Sequence, residues 1–284
     1  MTAEDPFVAH RSLLFTVAYE MLGSAADAED VVQESWLRWA GVDRARVGDA
    51  RAYLVRTVTR QALNRLRTLS RSREDYVGEW LPEPLLTRPD IAEDVELAES
   101  VSMALLTVLE TLGPTERAVF VLREVFDMPY GEIAGAVGKS AAAVRQIARR
   151  ARDHVAARRP RVSVDRAEQQ AVVERFLAAL RTGTIAELME VMAPDVVMVA
   201  DGGGLANAAL EPLHGAALVA RLLARPGRTV SAVWLNGALA GRVEADGQLA
   251  AVSVVVADGR VSRIYATANP RKLTRLGEPA ELVR

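Results

Sequence analysis

Arginine and glutamine side chains recur on one face of a segment whose pattern is typical of a module that enters a groove of DNA. Residues 128–138 predict a short helix that ends in a turn at Gly138, and Ser140 can cap a second helix. That second helix buries Val144. Its exposed face carries groups that suit base edges and phosphates: Ser140, Ala142, Arg145, Gln146 and Arg149. The segment predicts a helix-turn-helix, and the alternative is an ordinary helical hairpin with a solvated basic face.

Charge is distributed in blocks along the chain. Residues 44–73 carry nine Arg against one Asp, a net charge of +8, and residues 139–161 carry seven Arg and one Lys against one Asp, a net charge of +7. Residues 76–101 hold seven acids and one Arg, a net charge of −6, whereas residues 163–284 balance 13 bases with 13 acids. This distribution predicts two modules that contact a polyanion, an acidic linker between them and a further domain of another kind.

An acidic edge is predicted on the helix that Ser24 can cap. Asp27, Asp30 and Glu34 are three and four residues apart, so they share one face beside a buried apolar stripe that includes Trp36. Such an edge can dock on a basic protein surface. The alternative is that acids near a helix start only favour the helix dipole.

Composition excludes several classes of protein. Half of the 284 residues are hydrophobic, so the chain can bury cores and is not a disordered protein. The absence of Cys excludes disulfides and thiolate metal sites, and three widely spaced His do not predict a metal centre. No run of 18 apolar residues occurs, and the first residues are acidic where a signal peptide would be basic. We expect a soluble cytoplasmic protein without a metal or a cofactor.

The periodicity changes near residue 160. Helical spacing dominates before that point, whereas afterwards two helices precede strand-like runs that are separated by the turn pairs Asp246-Gly247 and Asp258-Gly259. We therefore predict a multidomain fold with two all-α domains followed by an α+β domain. The predicted parts are residues 1–75, an extended Pro-containing linker at 76–100, residues 101–159 and residues 160–284.

Three motifs in this order resemble the extracytoplasmic-function (ECF) sigma factors of bacterial RNA polymerase. The matching segments are residues 28–34, residues 51–56 through 64–67, and residues 112–120 with the helix-turn-helix. The resemblance implies that residues 1–75 are sigma region 2 and that residues 101–159 are sigma region 4. It implies no enzymatic activity and no catalytic residue. The implied partners are the core polymerase, through its β and β′ subunits, and promoter DNA.

The resemblance also implies roles for individual residues. The −10 element would be read by Arg56, Arg60, Gln61, Asn64 and Arg67, and the −35 element by the helix-turn-helix residues. Core polymerase would be bound by Asp27, Asp30, Gln33 and Glu34. Asn64 stands where the family usually has Asp.

Three further segments resemble the sigma-J type of these factors, which carries a SnoaL-like (NTF2-like) extension after region 4. The implied interdomain regulatory residues are Trp80, Leu81, Pro82, Glu83, Pro84, Asp201, Gly202, Gly203, Gly204, Asn269, Pro270, Lys272 and Leu273. Leu205 and Arg271 depart from the Lys and Asp that this subgroup usually has. We expect the apolar Trp80-Leu81 pair to dock on the glycine loop, so that the extension regulates the sigma domains in cis. The alternative is that Trp80 packs on the adjacent helical module.

Two other functions stay open at this level. One is a ligand-responsive DNA-binding regulator, in which a small molecule occupies a pocket of the last domain. The other is a pocket enzyme with a DNA-binding appendage, for which Asp195, Asp201 and His214 are the available acid–base groups. Asp201 opens a three-glycine loop, where Asp is commonly a turn former, and this favours a structural role.

Overall fold

The computed structural model describes residues 5–73, 75–159, 165–225 and 227–284. Its first part is a bundle of three helices, α1 (Pro6–Leu22), α2 (Ala25–Ala40) and α3 (Ala50–Arg73). Asp5 caps α1 by accepting a hydrogen bond from the Phe7 N–H at 3.0 Å, and Gly23 ends the helix in the left-handed conformation. We call α1–α3 the first helical module.

The second helical module carries the expected helix-turn-helix. It consists of α4 (Val95–Ser100), α5 (Met103–Leu109), α6 (Pro114–Phe120), a π-helical turn (Val121–Val125), α7 (Tyr130–Val137) and α8 (Ala141–Arg158). Gly138 ends α7 at a φ of 69°, and Ser140 Oγ accepts a hydrogen bond from the Ala143 N–H at 3.2 Å. The turn and the cap that the sequence predicts at α7–α8 are therefore confirmed.

The segment between the two modules is less extended than its prolines and acids predict. A short 3₁₀ helix (Pro89–Ala92) and α4 both lie within residues 76–100. Asp94 caps α4 by accepting a hydrogen bond from the Leu97 N–H at 3.0 Å, and Leu97 is buried. Acids near a helix start favour the dipole, and one buried Leu anchors the helix. The prediction of an extended conformation therefore holds only up to Arg88.

The sheet domain contains helices and a six-stranded mixed sheet, which confirms the α+β expectation. Its helices are α9 (Arg166–Thr182), α10 (Ile185–Val191) and α11 (Ala216–Leu223). Its strands are β1 (Met192–Asp201), β2 (Leu213–His214), β3 (Thr229–Leu235), β4 (Ala238–Ala245), β5 (Gln248–Ala257) and β6 (Arg260–Thr267), in the order β2-β1-β6-β5-β4-β3. The predicted Asp-Gly turns join β4 to β5 and β5 to β6, with positive φ at both residues of each pair.

One pairing in this sheet places distant segments side by side. β1 and β6 run parallel, with Asp201 opposite Thr267, whereas the other pairs are antiparallel. Helices α9–α11 pack on one face of the sheet. On the other face, Val199, Val255 and Tyr265 pack against Leu81, which precedes the second helical module, and Met103, which begins α5. The sheet is therefore covered on both faces.

The two helical modules pack directly on each other. Their buried side chains form one continuous apolar cluster, and α3 contacts both α6 and α7. The buried guanidinium of Arg117 on α6 donates from Nε to the main-chain oxygen of Glu20 at 3.2 Å and from Nη1 to Glu110 at 2.7 Å. Among the described residues, no helix combines the length and the apolar content that crossing a bilayer requires. The boundary predicted at residue 160 falls in 160–164, which lie outside the described residues.

Glu20 on α1 is a carboxylic acid buried inside this interface. Its Oε1 accepts a hydrogen bond from Ser100 Oγ at 2.8 Å, and its Oε2 has no hydrogen-bond partner in the described part of the chain. Arg117 and Arg284 are the nearby cations, and Arg117 is already paired with Glu110. Burial raises the pKa of Glu20 to about 8, against the opposing effects of the Ser100 hydrogen bond and the two arginines. The folded protein therefore holds Glu20 mainly in its protonated form at neutral pH.

Replacing Glu20 by Gln is expected to flatten the pH dependence of folding stability. Burial raises the pKa of Glu20 in the folded state. The contribution of Glu20 to folding stability is therefore complete below the ordinary pKa of 4.5 and is lost as the pH rises through about 8. The free energy of unfolding of the wild type should fall between about pH 5 and pH 8 by more than that of E20Q. Urea unfolding across this range measures the difference. The exposed Glu93 supplies the control E93Q, and identical slopes for E20Q and the wild type would contradict the prediction.

Candidate functional site

The exposed face of α8 carries basic and amide side chains at its start. Ala142, Arg145, Gln146 and Arg149 are exposed, and Ser140 caps the helix. Arg152, one turn further on, donates to Glu124 at 2.7 Å and 3.1 Å and is thereby held against the module. The N-terminal half of α8 is therefore the part that can enter a groove.

The basic face of α3 is partly covered by the second helical module. Arg60 donates from Nη2 to the main-chain oxygen of Gly135 on α7 at 2.7 Å. Asn64 and Arg67 are exposed, whereas the Arg56 guanidinium lies over the Tyr53 ring, 5.7 Å from its centroid. Arg56, Arg60, Asn64 and Arg67 are therefore exposed on α3, with Arg60 also in contact with α7, and Gln61 is half-buried.

The acidic edge of α2 packs against α3. Arg65 donates to Asp27 at 2.6 Å and to Asp30 at 3.4 Å. Gln61 donates to Glu34 at 3.0 Å. The acids are therefore partly neutralised within the first helical module.

The outer surface of α2 is more apolar than the sequence predicts. Trp36 is 46% exposed and Leu37 is 61% exposed, and Gln33, one turn before them on α2, is exposed as well. The prediction that Trp36 belongs to the buried stripe is wrong, because Trp36 lies on the outer face of α2. Trp39, which the same spacing places in the stripe, is buried and packs against Tyr53 with ring centroids 5.7 Å apart. The exposed face of α2 thus combines large apolar groups with acids.

Asp201, at the end of β1, organises the contact between the sheet domain and residues 76–87, which we call the docked segment. Its carboxylate is fully buried. Oδ1 accepts a hydrogen bond from the Tyr76 hydroxyl at 2.5 Å, and Oδ2 accepts from the Leu81 N–H at 2.9 Å. Lys272 Nζ donates to Oδ2 and to the Leu81 main-chain oxygen, both at 2.6 Å. Asp201 and Lys272 therefore hold both main-chain polar groups of Leu81.

Lys272 also lies against two aromatic rings of the docked segment. Its Nζ is 3.2 Å from the centroid of Trp80 and 5.0 Å from that of Tyr76. The two rings meet edge to face at 4.8 Å. Asn269 Nδ2 donates to the Tyr76 hydroxyl at 2.7 Å, and burial, together with the hydrogen bond to Asp201, raises the pKa of that hydroxyl. The Asn269–Leu273 turn thus supplies the cation and the amide of the site.

The loop after Asp201 needs glycine for this close approach. Gly203 has a φ of 57°, and a Cβ there would lie 2.2 Å from Asn269 Nδ2 and 2.8 Å from the Tyr76 hydroxyl. At Gly204, with a φ of 69°, a Cβ would meet Val77 at 3.3 Å. The structure brings the glycine loop, the Asn269–Leu273 turn and the docked segment together, although most contacts come from Tyr76 and Leu81 rather than from the loop glycines.

Glu83 joins the docked segment to the first helical module. Its carboxylate accepts hydrogen bonds at the start of α2 from the Ala25 N–H at 2.7 Å and the Ala26 N–H at 3.3 Å. The Tyr19 hydroxyl donates to the Glu83 main-chain oxygen at 2.7 Å. Burial raises the pKa of Glu83, while these N–H groups lower it. The sequence carries no local signal for this cap, because Glu83 is far along the chain from the helix that it caps.

Asn236 is a second junction that the sequence analysis missed. It lies at the β3–β4 turn with a φ of 51°. Its Oδ1 accepts from the Leu85 N–H at 3.0 Å, and its Nδ2 donates to the Tyr19 hydroxyl at 2.7 Å and to the Val101 main-chain oxygen at 2.9 Å. The adjacent Leu86 forms an antiparallel bridge with Leu235. The Asn236-Gly237 pair is a hairpin signal that would have located the turn, but not its partners.

Of the acid–base groups considered for an enzyme, Asp201 is already bound within the fold. Both carboxylate oxygens of Asp201 bind the docked segment, whereas Asp195 and His214 are exposed. In the described residues, no cluster of three metal-ligating side chains occurs. A cavity of about 480 Å³ lies between α5, α9 and the β3–β4 turn, and its walls include Met103 and Tyr265.

Comparisons with known proteins follow the same division of the chain. The family model described as Sigma-70 region 2 matches residues 7–72, and the one described as Sigma-70, region 4 matches residues 102–155. The chain is 38% identical to the ECF RNA polymerase sigma factor SigJ of Mycobacterium tuberculosis, over 94% of this chain and 92% of that protein. It is 31% identical to the probable ECF RNA polymerase sigma factor SigI of the same species, over 97% and 98% of the two chains. The crystal structure of M. tuberculosis SigJ superposes with a TM-score of 0.76 at 34% identity, over 95% of this chain and 98% of that one.

Replacing Lys272 by Met is expected to release the docked segment. The change leaves the buried Asp201 without its cation, which costs about 3 kcal/mol or more when one partner of a buried pair is removed. The neighbouring Arg271 is exposed, so R271M removes the same charge without breaking this site. Thermal unfolding and limited proteolysis within residues 76–87 measure the effect. Equal stability and equal cleavage of K272M and R271M would contradict the prediction.

Proposed function

Because the chain belongs to the ECF family of RNA polymerase sigma factors, we propose that it binds core RNA polymerase and directs transcription from specific promoters. The observation that carries this proposal is the pairing of two sigma modules with an exposed recognition helix on α8. The first helical module is proposed as region 2 and the second as region 4. We propose that region 2 spans residues 1–75, the linker 76–100, region 4 residues 101–159 and the sheet domain 160–284.

We propose that α8 reads the −35 element and that α3 reads the −10 element. The exposure of Arg145, Gln146 and Arg149 on one face of α8 supports the first assignment. Exposure of Asn64 and Arg67 on α3 supports the second. Arg60 is exposed as well, and one of its N–H groups donates to the main-chain oxygen of Gly135 in this structure.

Core polymerase is proposed to bind the outer face of α2. Exposed Trp36 and Leu37 form an apolar centre, and Gln33, Asp30 and Glu34 supply a polar edge. A centre of large apolar groups with a charged rim is the usual composition of a binding surface on a protein partner. This surface adds two exposed residues to the acidic edge. One is Trp36, which the helical spacing places in the buried stripe, and the other is Leu37, which the sequence does not single out.

The sheet domain is proposed to regulate the sigma modules in cis through the docked segment. This segment is hydrogen-bonded to the first helical module through Glu83, to the sheet domain through Leu81 and Leu85, and it leads directly into the second helical module. Its residues Leu81–Leu85 are buried, so it is not a free spacer between the sigma modules. Docking therefore fixes the relative placement of the two modules.

The proposed function requires no enzymatic step and no cofactor. A small-molecule partner of the sheet domain is proposed only for the cavity of about 480 Å³, because its walls come from both α5 and the sheet domain. A molecule bound there would contact the second helical module and the sheet domain together. Thermal shift of the full chain against a library of compounds of this size tests the suggestion, and the absence of any shift would count against it.

Replacing Arg145 by Ala is expected to weaken binding to the −35 element. A side chain that contacts a base edge typically contributes about 1–3 kcal/mol, so preference should relax at one base position. Binding to a panel of −35 variants in the presence of core enzyme measures the change. The matched control is R150A, because Arg150 is also exposed but lies on a different side of α8 from Arg145. Uniform weakening across all sequences would identify Arg145 as a phosphate contact instead.

Replacing Trp36 and Leu37 by Ser is expected to weaken association with core RNA polymerase by about tenfold or more, because the apolar centre of the surface is lost. Both side chains are exposed, so the fold should be retained. Co-purification with core enzyme and in vitro transcription measure the effect. The exposed Val8 on α1 supplies the control V8S. Unchanged affinity for core enzyme would place the binding surface elsewhere.

A further inference from the structure

Two adjacent charged residues on the π-helical turn bind different helices of the helix-turn-helix. Glu124 accepts two hydrogen bonds from Arg152 on α8, from Nη2 at 2.7 Å and from Nε at 3.1 Å. Arg123 donates from Nη1 to the main-chain oxygen of Met128 at 3.0 Å, two residues before α7 begins. Neighbouring residues of a helical turn do not point the same way, so this short element contacts both α7 and α8.

Arg123 holds the start of α7. Its guanidinium lies 4.8 Å from the centroid of the Tyr130 ring, in the first turn of α7, where a cation and an aromatic face attract each other. It also forms an ion pair with Asp127 at 2.9 Å. Asp127 has a φ of 45°, so the chain changes direction here between the π-helical turn and α7. Arg123 therefore fixes where α7 begins relative to that turn.

Arg152 has the sequence position of a residue that contacts DNA. It follows Arg145 by seven residues and Arg149 by three, so the three side chains share one face of α8. The structure nevertheless gives Arg152 partners within the protein. Hydrogen bonds to Glu124 and the charge of Glu124 raise the pKa of Arg152, and a hydrogen bond with Tyr130 raises it further. Arg152 thus joins α8 both to the π-helical turn and to the start of α7.

The Glu124–Arg152 pair is suited to orienting α8 rather than to stabilising the fold. The Arg152 side chain is 52% exposed and that of Glu124 is 26% exposed, and exposed ion pairs contribute little to folding. Burial of Ile133, Val144 and Ile147 already holds α7 and α8 together. A guanidinium that binds a carboxylate through two parallel N–H groups, however, does so in one relative orientation. The pair therefore adds direction to a contact that apolar packing provides.

We propose that the Glu124–Arg152 pair positions α8 in the groove of the −35 element, and that Arg152 is a positioning residue rather than a DNA contact. This inference rests on the proposed function of α8. Side chains that recognise a ligand must be held within about 0.5 Å and about 10–20° of the productive geometry. Arg145 lies about 10 Å from Arg152 along the helix, so a change of tilt at Arg152 also moves Arg145 relative to the bases. The pair thereby sets how strictly α8 discriminates between base sequences.

The test compares E124Q, R152Q and the double variant E124Q/R152Q in the full chain. Affinity for the preferred −35 site and for its single-base variants is measured with core polymerase at several salt concentrations. Because both residues act through one pair, each single variant and the double variant should lose the same discrimination, about fivefold, without the additional loss that independent effects would give. The control R242Q breaks the exposed Arg242–Glu244 pair of the sheet domain and should keep the discrimination of the wild type.

The salt dependence separates positioning from direct contact. Removing a phosphate contact lowers the slope of log affinity against log salt by about 0.9. We expect R152Q to keep the slope of the wild type. A lower slope in R152Q would identify Arg152 as a phosphate contact and overturn the proposal. So would a loss at one base position in R152Q that E124Q does not share, because Arg152 would then contact that base.

The direction of α8 is measured separately and without DNA. Since the chain has no Cys, E132C on α7 and A156C on α8, both at exposed positions, carry the only spin labels. Pulsed electron spin resonance gives the distance distribution between them. E124Q and R152Q should change this distribution in the same way, and a distribution equal to that of the wild type in both would overturn the proposal. If the wild type showed no promoter preference, the sigma function would be refuted, while the distances would still decide the positioning role.

Discussion

A buried carboxylate, Asp201, and a buried ammonium, Lys272, hold the segment on which the arrangement of the whole chain depends. Removing two charges from water is costly unless hydrogen bonds and the pairing itself compensate. Here the carboxylate binds the Tyr76 hydroxyl and the Leu81 N–H, and the ammonium binds the Leu81 oxygen and lies on the Trp80 ring. The pair is therefore satisfied only when the docked segment is in place. Folding of the sheet domain and placement of the sigma modules are consequently linked through these few atoms.

The parallel pairing of β1 and β6 explains how this site is built. Asp201 ends β1, and the Asn269–Leu273 turn follows β6, so the two strands deliver their ends to the same edge of the sheet. The N–H groups of Ala268 and Asn269 both donate to the Asp201 main-chain oxygen, at 2.7 Å and 2.9 Å. The main chain at Asp201 is thus fixed by the sheet, which leaves its carboxylate free to bind the docked segment.

Local features of the fold could be predicted from the sequence, and contacts between distant segments could not. Gly138 and Ser140 locate the helix-turn-helix, and the Asp-Gly pairs locate two hairpins, because each signal acts through the main chain of its own neighbours. The exposure of Trp36, by contrast, depends on how α1 and α3 pack against α2, which the spacing of apolar residues along α2 does not show. Glu83 and Asn236 bind groups that are remote in sequence, and no local signal shows that Leu81–Leu85 are buried. The motif segments that carry the resemblance indicated which distant parts meet, but not the atoms through which they meet.

The antiparallel bridge between Leu86 and Leu235 has a consequence for the solubility of an opened molecule. β3 is the edge strand of the sheet, and the docked segment pairs with its end through Thr87, Leu86 and Leu85. When that segment leaves, main-chain donors and acceptors at the end of β3 lose their partners, and an unpaired sheet edge is a template for strands of other molecules. Self-association then competes with capture by the transcription machinery. The docked segment therefore protects the end of an edge strand from self-association, in addition to placing the helical modules.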